Sequence, residues 1–473
     1  MKIISENIII LLLVLSFSAC NFSDEDENEI RKFSNLSEIK ERGKLVAVTD
    51  NNSTSYFIYR GTPLGFQYEL LKEYSDYMGL DLEIVISNNI EEKINLIKNG
   101  KVDVLAVNLS ITKTRKVFID FTIPLGSTRP VLVQRKPENY KNLSKSKMDE
   151  KLIRDIKKLN GKTVFVQEHS SFVPLLKRIE KEHKIVINSF DAVSLGIEEL
   201  VLMVSEGKID YTVCDEDVAR INATYLQNID IETGLGDEVN FAWAVAKGND
   251  SLRISINNWL NDFKKTKRFE SIYYRYFNNP KYKNMINSDY YSLIGGKISQ
   301  YDEIIKELSK ETYWDWRLIS SLIYHESNFD NSVRSWAGAA GLMQLMPQTA
   351  ATYGIDIESG PTANIAAGIK VINSLDNIFK EEITDTLERI KFILASYNIG
   401  PGHVIDARNL AKKYGKNPNI WENNVDTFLL LKSNPEYYRD SVVKNGYCRG
   451  NETVNFVKRV LEVFGHYKNL IDL

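Results

Sequence analysis

The hydrophobic pattern of this 473-residue chain changes period once, and that change decides what it can fold into. From about 40 to 280, short β-rich runs alternate with stretches of helical spacing. Residues 44–48 (KLVAV) read as a strand. Residues 65–78 carry Phe66, Leu70, Leu71, Tyr74 and Met78 at helical intervals. Strands are expected at 82–86 and 102–107, with a helix at 90–98 between them. A second cycle runs from 162–166 to 210–214. Such alternation implies an α/β fold with a largely parallel sheet, and two cycles imply two lobes. The apolar runs 131–133 and 242–246 are expected as crossing strands. Residues 278–297, with Pro280 and the Gly295-Gly296 pair, read as a linker. Beyond them 301–310, 316–326, 347–353, 365–379 and 387–398 all read as helices, so the C-terminal part is expected to be all-α.

Hydrophobic residues make up 43% of the chain, enough for two cores. A net charge of −3 points away from nucleic acid as a partner. Three cysteines stand at 20, 214 and 448 with no CxxC pair, so Cys214 and Cys448 are expected as unpaired buried thiols and no cysteine metal site is expected. Near the start, Ile8 to Leu15 form an unbroken apolar run, too short to span a bilayer and suited to a signal peptide. The following Ser18-Ala19-Cys20 resembles a lipobox, in which Cys20 becomes a lipidated first residue; the alternative is a plain signal peptide cut nearby. Residues 21–32 (NFSDEDENEIRK) are polar and acidic and read as a tether. The chain therefore divides into 1–19 signal peptide, 20–39 tether, 40–280 first domain, 281–299 linker and 300–473 second domain.

One carboxylate in the second domain stands out. Asp315 suits a helix N-cap. Leu318, Ile319, Leu322 and Ile323 then form an apolar stripe, and Glu326 falls on that stripe. A carboxylate there is either paired or poorly solvated with a raised pKa, which is what a general acid needs at neutral pH. His325-Glu326 does not open a zinc motif, because position 329 is Phe rather than a second histidine. No metal or cofactor is expected.

The company of Glu326 sharpens this. Glu326-Ser327 is followed by Ser335, then Gly338-Ala-Ala-Gly341-Leu-Met-Gln344-Leu-Met346-Pro347, and later Ala395-Ser-Tyr397-Asn398-Ile-Gly400. Further on come Asn364-Ile365 with Gly368, and Gly446-Tyr-Cys-Arg449-Gly450. Over roughly 300–470 these segments resemble the soluble-lytic-transglycosylase family, whose fold is goose-lysozyme-like and α-helical. Small departures are Ser396 and Ala340. The resemblance implies that Glu326 is the single acid and base, and that Ser335, Gln344, Met346, Tyr397 and Asn398 bind substrate. The implied reaction cuts the MurNAc–GlcNAc bond of peptidoglycan and leaves a 1,6-anhydro end. One carboxylate suffices there, because the nucleophile is the substrate's own C6 hydroxyl. An ordinary glycosidase needs a second carboxylate, for which Asp330 and Glu452 are the candidates. Independently of the family, Gln344 offers donor and acceptor groups suited to an acetamido group, and Gly338 and Gly341 permit close backbone approach.

The first domain carries Gly65-Phe-Gln-Tyr-Glu-Leu70, Ser110-Ile-Thr-Lys-Thr-Arg115, Asp120-Phe-Thr-Ile-Pro124 and Gly207-Lys-Ile-Asp210 through Asp215. These resemble the amino-acid-binding family of periplasmic solute-binding proteins. The resemblance implies a two-lobed periplasmic-binding-protein fold in which Arg115 clamps a ligand carboxylate. Ser110 adds a hydrogen bond, Asp215 pairs with the α-amine, and Tyr56 supplies an aromatic wall. Glu168-His169-Ser170 departs from the usual glycine–threonine turn. The implied partners are peptidoglycan strands and an amino acid or stem peptide. The implied location is the periplasmic face of the outer membrane, since Asn21 is not the retention signal Asp. The competing readings are a hydrolytic muramidase on the same fold and a non-enzymatic sensing lipoprotein.

Overall fold

The computed structural model describes residues 33–472 apart from 193–194, 278, 280–284, 286–287, 294 and 357–358. The leader, Cys20 and the acidic run at 21–32 lie outside the described residues.

Two sheets build the first domain. In the first, the strands Asp81–Ile86, Lys44–Thr49 and Val104–Ser110 are parallel neighbours. Val239–Ala246 then joins antiparallel, flanked by Ile119–Phe121 and Gly126–Thr128. In the second, the order is Asn188–Ala192, Thr163–Gln167, Tyr211–Asp215, Pro130–Arg135, Ile229–Gly234. The chain thus enters the second lobe just before Pro130 and returns before Val239. The two apolar runs expected as crossing strands are the first strand after each passage, and both pair antiparallel. The sheets are therefore mixed rather than largely parallel. A returning strand that fills the centre of a sheet from the other lobe has no crossover helix to orient it parallel.

The second domain is helical. Five helices matter for the site: α1 (Trp316–Ser327), α2 (Pro361–Phe379), α3 (Thr386–Ile399), α4 (Pro401–Lys413) and α5 (Gly450–Leu470). Asp315 caps α1, its carboxylate accepting from the Arg317 amide at 2.9 Å. The stripe Leu318, Ile319, Leu322 and Ile323 is buried in one core with Ile365, Ile369, Ile393 and Val460. A buried ion pair, Lys432 Nζ to Asp406 Oδ2 at 2.8 Å, ties α4 to the chain that follows it. Asp406 also accepts from the backbone N–H groups of Lys444 and Asn445, so its charge is fully compensated. Cys214 and Cys448 are free and buried.

The two domains are sewn together. The described part of 281–299 is no free tether: Tyr291 is buried against Phe57 with ring centroids 5.0 Å apart, and Ile298 lies in the helical core. A hairpin at 57–64 leaves the first domain and lays Ile58 into the core of the second. At its tip Gly61 has φ 78°, and a Cβ there would lie 2.7 Å from the Phe329 ring and 2.8 Å from the Tyr467 hydroxyl. Only glycine fits so close an approach. In return α5 reaches back. Tyr467 donates to the Gly61 carbonyl at 2.8 Å, and Asn469 to the Ile84 carbonyl at 2.8 Å. His466 is buried between two tyrosines, 2.6 Å from the Tyr56 hydroxyl through Nδ1 and 3.3 Å from that of Tyr68 through Nε2. Burial pushes its pKa down to about 3, helped by Lys72, so the imidazole is neutral and serves as one donor and one acceptor.

Candidate active site

Glu326 sits in the last turn of α1, half-buried. Burial alone pushes its carboxyl up to about 8, and no neighbouring charge contributes. Neither Asp330 nor Glu452 is seated beside it as a second carboxylate. Asp330 is exposed and accepts from Ser332, while Glu452 faces Arg449 at 3.7 Å.

After Glu326 the backbone turns sharply: Asn328 at φ 51° caps α1 and Phe329 follows at φ 60°. The chain then forms a tight loop, 333–345, that folds over the end of α1. Its fastenings come from three helices. Ser327 of α1 donates to the Leu342 carbonyl at 2.8 Å. Asn364 of α2 accepts from the Met343 amide at 2.8 Å and donates to the Ala340 carbonyl at 3.2 Å. Tyr397 of α3 donates to the Met343 carbonyl at 2.8 Å. Burial holds the Tyr397 hydroxyl well above its ordinary pKa, and the charge of Glu326 adds to this.

The expected substrate residues divide in two. Ser335, Gln344, Met346 and Tyr397 stand on or against this loop. Ser335 Oγ accepts from the Ala339 amide at 3.0 Å. Gln344, at φ 47°, turns its amide nitrogen back onto the carbonyls of Val333 and Gly341, at 3.0 and 2.9 Å. Met346 is exposed beside it. Asn398 instead accepts from Thr453 on α5 at 2.7 Å and joins two helices. The sequence reading missed Asn364 as the loop's clamp. No local pattern marked it; in the structure a Cβ added to Gly341 would lie 2.3 Å from the Asn364 amide nitrogen.

In the first domain, Ser110, Arg115 and Asp215 line one cleft between the lobes. Arg115 is nine-tenths buried and donates to the Ser110 carbonyl at 3.0 Å. Burial lowers its pKa to about 10 while Asp215 opposes that. Burial and the Asp217 charge raise the Asp215 carboxyl, and Arg115 counters them. Ser170, from the departing turn, lines the same cleft with a buried hydroxyl that has no hydrogen-bond partner among the described residues. Gln167 donates to the Asn88 carbonyl at 2.7 Å and the Ser53 amide to Glu198 at 3.0 Å, drawing the lobes together. The expectation for Tyr56 is corrected. It is no wall of this cleft: its ring is fully buried at the seam, with its hydroxyl on His466. The partner that takes it lies 410 residues away, beyond the reach of any local pattern.

A two-lobed binding fold joined to a lysozyme-like helical domain defines a modular cell-wall-lytic class. Comparison agrees domain by domain: residues 45–279 match "Bacterial extracellular solute-binding proteins, family 3", and 303–420 match "Transglycosylase SLT domain". The chain belongs to the membrane-bound lytic murein transglycosylase F family. It is 32% identical over 438 residues to the member from Desulfosudis oleivorans, covering 92% of each chain. It is 31% identical to the member from Pseudomonas fluorescens, covering 91% of this chain and 86% of that one. Among solved structures, a mutant of ArgBP from T. maritima is similar over 51% of this chain and 99% of its own, at 25% identity and a TM-score of 0.43.

Proposed function

We propose that Glu326 is the acid and base with which this chain, a peptidoglycan lytic transglycosylase by family, breaks the glycan strand. The observation that carries the assignment is a carboxyl on the apolar stripe of α1 pushed to about 8 by burial, with no charge among the described residues contributing to the shift. At neutral pH it holds its proton and gives it to the glycosidic oxygen between MurNAc and GlcNAc as the C1–O bond breaks. The carboxylate so formed takes the proton from the muramoyl C6 hydroxyl, whose oxygen bonds to C1. The carboxyl is restored, no water is consumed, and a 1,6-anhydro end is left. Tyr397, Ser335, Gln344 and Met346 shape the site around that sugar, with Asn398 supporting it from the α3–α5 contact. The lytic unit is assigned to 300–473, the binding unit to 40–280 and the junction to 281–299. Mass spectrometry of digested sacculi tests the reaction. Anhydromuropeptides are the expected product; reducing ends in their place mean hydrolysis, and no product means a binding protein.

The first domain supports a ligand with a free carboxylate and an amine. Arg115, Ser110 and the unpartnered Ser170 hydroxyl converge for the carboxylate, and Asp215 faces them for the amine. The segment 50–64 runs from this cleft to Tyr324 and Phe329, which lie on either side of Glu326 in the chain, and this supports a short path from lobe closure to the lytic site. In a thermal-shift screen of free amino acids and stem peptides, Arg115→Met is expected to lose about 10²-fold in affinity for whichever one stabilises the wild type. A wild type that responds to none of them sinks this reading.

The relatives are named membrane-bound, which supports an envelope location for this chain, and no helix among the described residues is long and apolar enough to cross a membrane. The Ser18-Ala19-Cys20 run supports a lipid on Cys20 after removal of 1–19, with the acidic residues 21–32 as spacer and the outer membrane as its seat; the end of the expected 20–39 tether instead lies in the helix Leu36–Arg42, with Ile39 buried in the first domain's core. Labelled palmitate is expected to enter the wild type and not Cys20→Ala; label in both ends the lipoprotein reading.

A further inference from the structure

Five of the six tryptophans, at 243, 259, 314, 316 and 421, are 6% exposed or less. The sixth, Trp336, is 101% exposed. A ring of that size left wholly in water is costly unless something uses it. Its backbone is not loose. Arg334 and Ala340 pair antiparallel, and the Gly338 amide donates to the Ser335 carbonyl at 3.0 Å, closing a turn with Trp336 at its second position. The Ala339 carbonyl accepts from the Ser335 amide at 2.8 Å, and Gly338 takes φ 91°, which glycine supplies without strain. The neighbours Ala337 and Gly338 are small and exposed, so no side chain stands over the indole. This turn is the tip of the loop that Ser327, Asn364 and Tyr397 fasten over the end of α1. The backbone that carries the ring is therefore fixed at the tip of this loop, one residue from Ser335.

We propose that Trp336 is a stacking platform for a pyranose ring of the glycan strand, at a subsite outside the pair of sugars that flank the broken bond. The inference rests on the lytic reading above. A pyranose presents a face of C–H bonds, weakly positive and apolar, that suits the electron-rich face of an indole. Its hydroxyls and acetamido group lie around the rim, and a ring fully open to solvent leaves that rim hydrated. A lipid surface or a peptide side chain would favour a cleft or a wider apolar patch, whereas the other large apolar side chain exposed here is Met346, just past the end of the loop. A subsite beyond the cleavage pair favours strands of several disaccharides over short ones, so Trp336 sets how the enzyme chooses strand length.

Because the other tryptophans are buried, acrylamide quenching reads Trp336 almost alone. In the uncut complex of Glu326→Gln with saturating peptide-free glycan oligomers, quenching is expected to fall to that of the buried set. Trp336→Ala should show no such change. On wild-type background, Trp336→Ala is expected to raise KM for long strands three- to tenfold. KM for the shortest cleavable strand should rise less, and Trp336→Tyr should restore most of the difference. Unchanged quenching with glycan, or shielding by phospholipid vesicles or stem peptide in its place, overturns the platform. So does a loss that is equal for short and long strands, which marks a loop support. If wild type still yields anhydro ends, only this inference has failed; if it yields none, the lytic reading has failed first.

Discussion

Glu326→Gln is expected to abolish lytic turnover and, at the same time, to make the protein more stable. The loss in rate should be about 10²–10⁴-fold, the range that a positioned general acid and base supplies. The amide keeps the shape of the side chain but neither gives nor takes the proton. In the wild type, kcat/KM should fall as pH rises through about 8, because the acid must start protonated. The stability effect has the opposite sense. Folding raises this carboxyl from its ordinary 4.5 to about 8, so between those values the native state keeps a proton that the unfolded chain has lost. Stability therefore declines as pH rises across that window. Gln carries no such penalty. Its Tm advantage over wild type should be small near pH 4.5 and grow toward pH 8, as measured by thermal unfolding of both proteins at each pH. An equal Tm difference at both ends would mean that Glu326 is better solvated than its place in α1 implies.

Gly341→Ala is expected to damage fold and activity together. The residue sits at φ 80°, where a side chain costs roughly 1–2 kcal/mol. Its new Cβ also falls 2.3 Å from the amide of Asn364, which is buried and bonds both Met343 and Ala340. Moving that amide weakens two buried hydrogen bonds at once. The sum is roughly 2–4 kcal/mol, or a fall in Tm of roughly 5–15 °C. Met343 is also where Tyr397 is anchored, so the loop's position over Glu326 shifts and kcat should drop by about tenfold or more. Calorimetry and product release measured on the same preparation decide it. A variant with wild-type Tm would show that Asn364 moves aside freely and is no clamp.

How much of this was legible in advance depended on range in sequence. Glu326 was visible because the stripe from Leu318 to Ile323 and the carboxyl share one helix, so the 3.6-residue period alone puts them on one face. The cap at Asp315 was visible for the same reason. The two-lobed layout showed through strand–helix alternation, but short strands such as Gly126–Thr128 and Ile119–Phe121 did not, since three residues carry no period. Gln344 was legible as a side chain with donor and acceptor groups in the motif around Gly338 and Gly341. That its nitrogen holds the loop's own carbonyls was not, because that follows from a left-handed backbone angle. Asn364 and Tyr56 were opaque for a stronger reason: each owes its role to a partner on a separate element, and for Tyr56 that partner is in the other domain.

The seam between the domains has a consequence for how the molecule comes into being. Tyr56 and its partner His466 are 410 residues apart, and the residues that close the seam, from Glu462 to Asn469, lie in α5 of the second domain and are made after the whole of the first. The first domain can collapse on its own strands and helices, but it waits with Tyr56 and Tyr68 uncovered until α5 is formed and docked. Closing so long a loop is slow compared with helix formation or hairpin pairing. Assembly of the whole molecule is thus ordered in time, with the contact between binding unit and lytic unit as its last act. A chain clipped within α5 would lose the latch and, with Val460 and Val463, part of the lytic domain's own core.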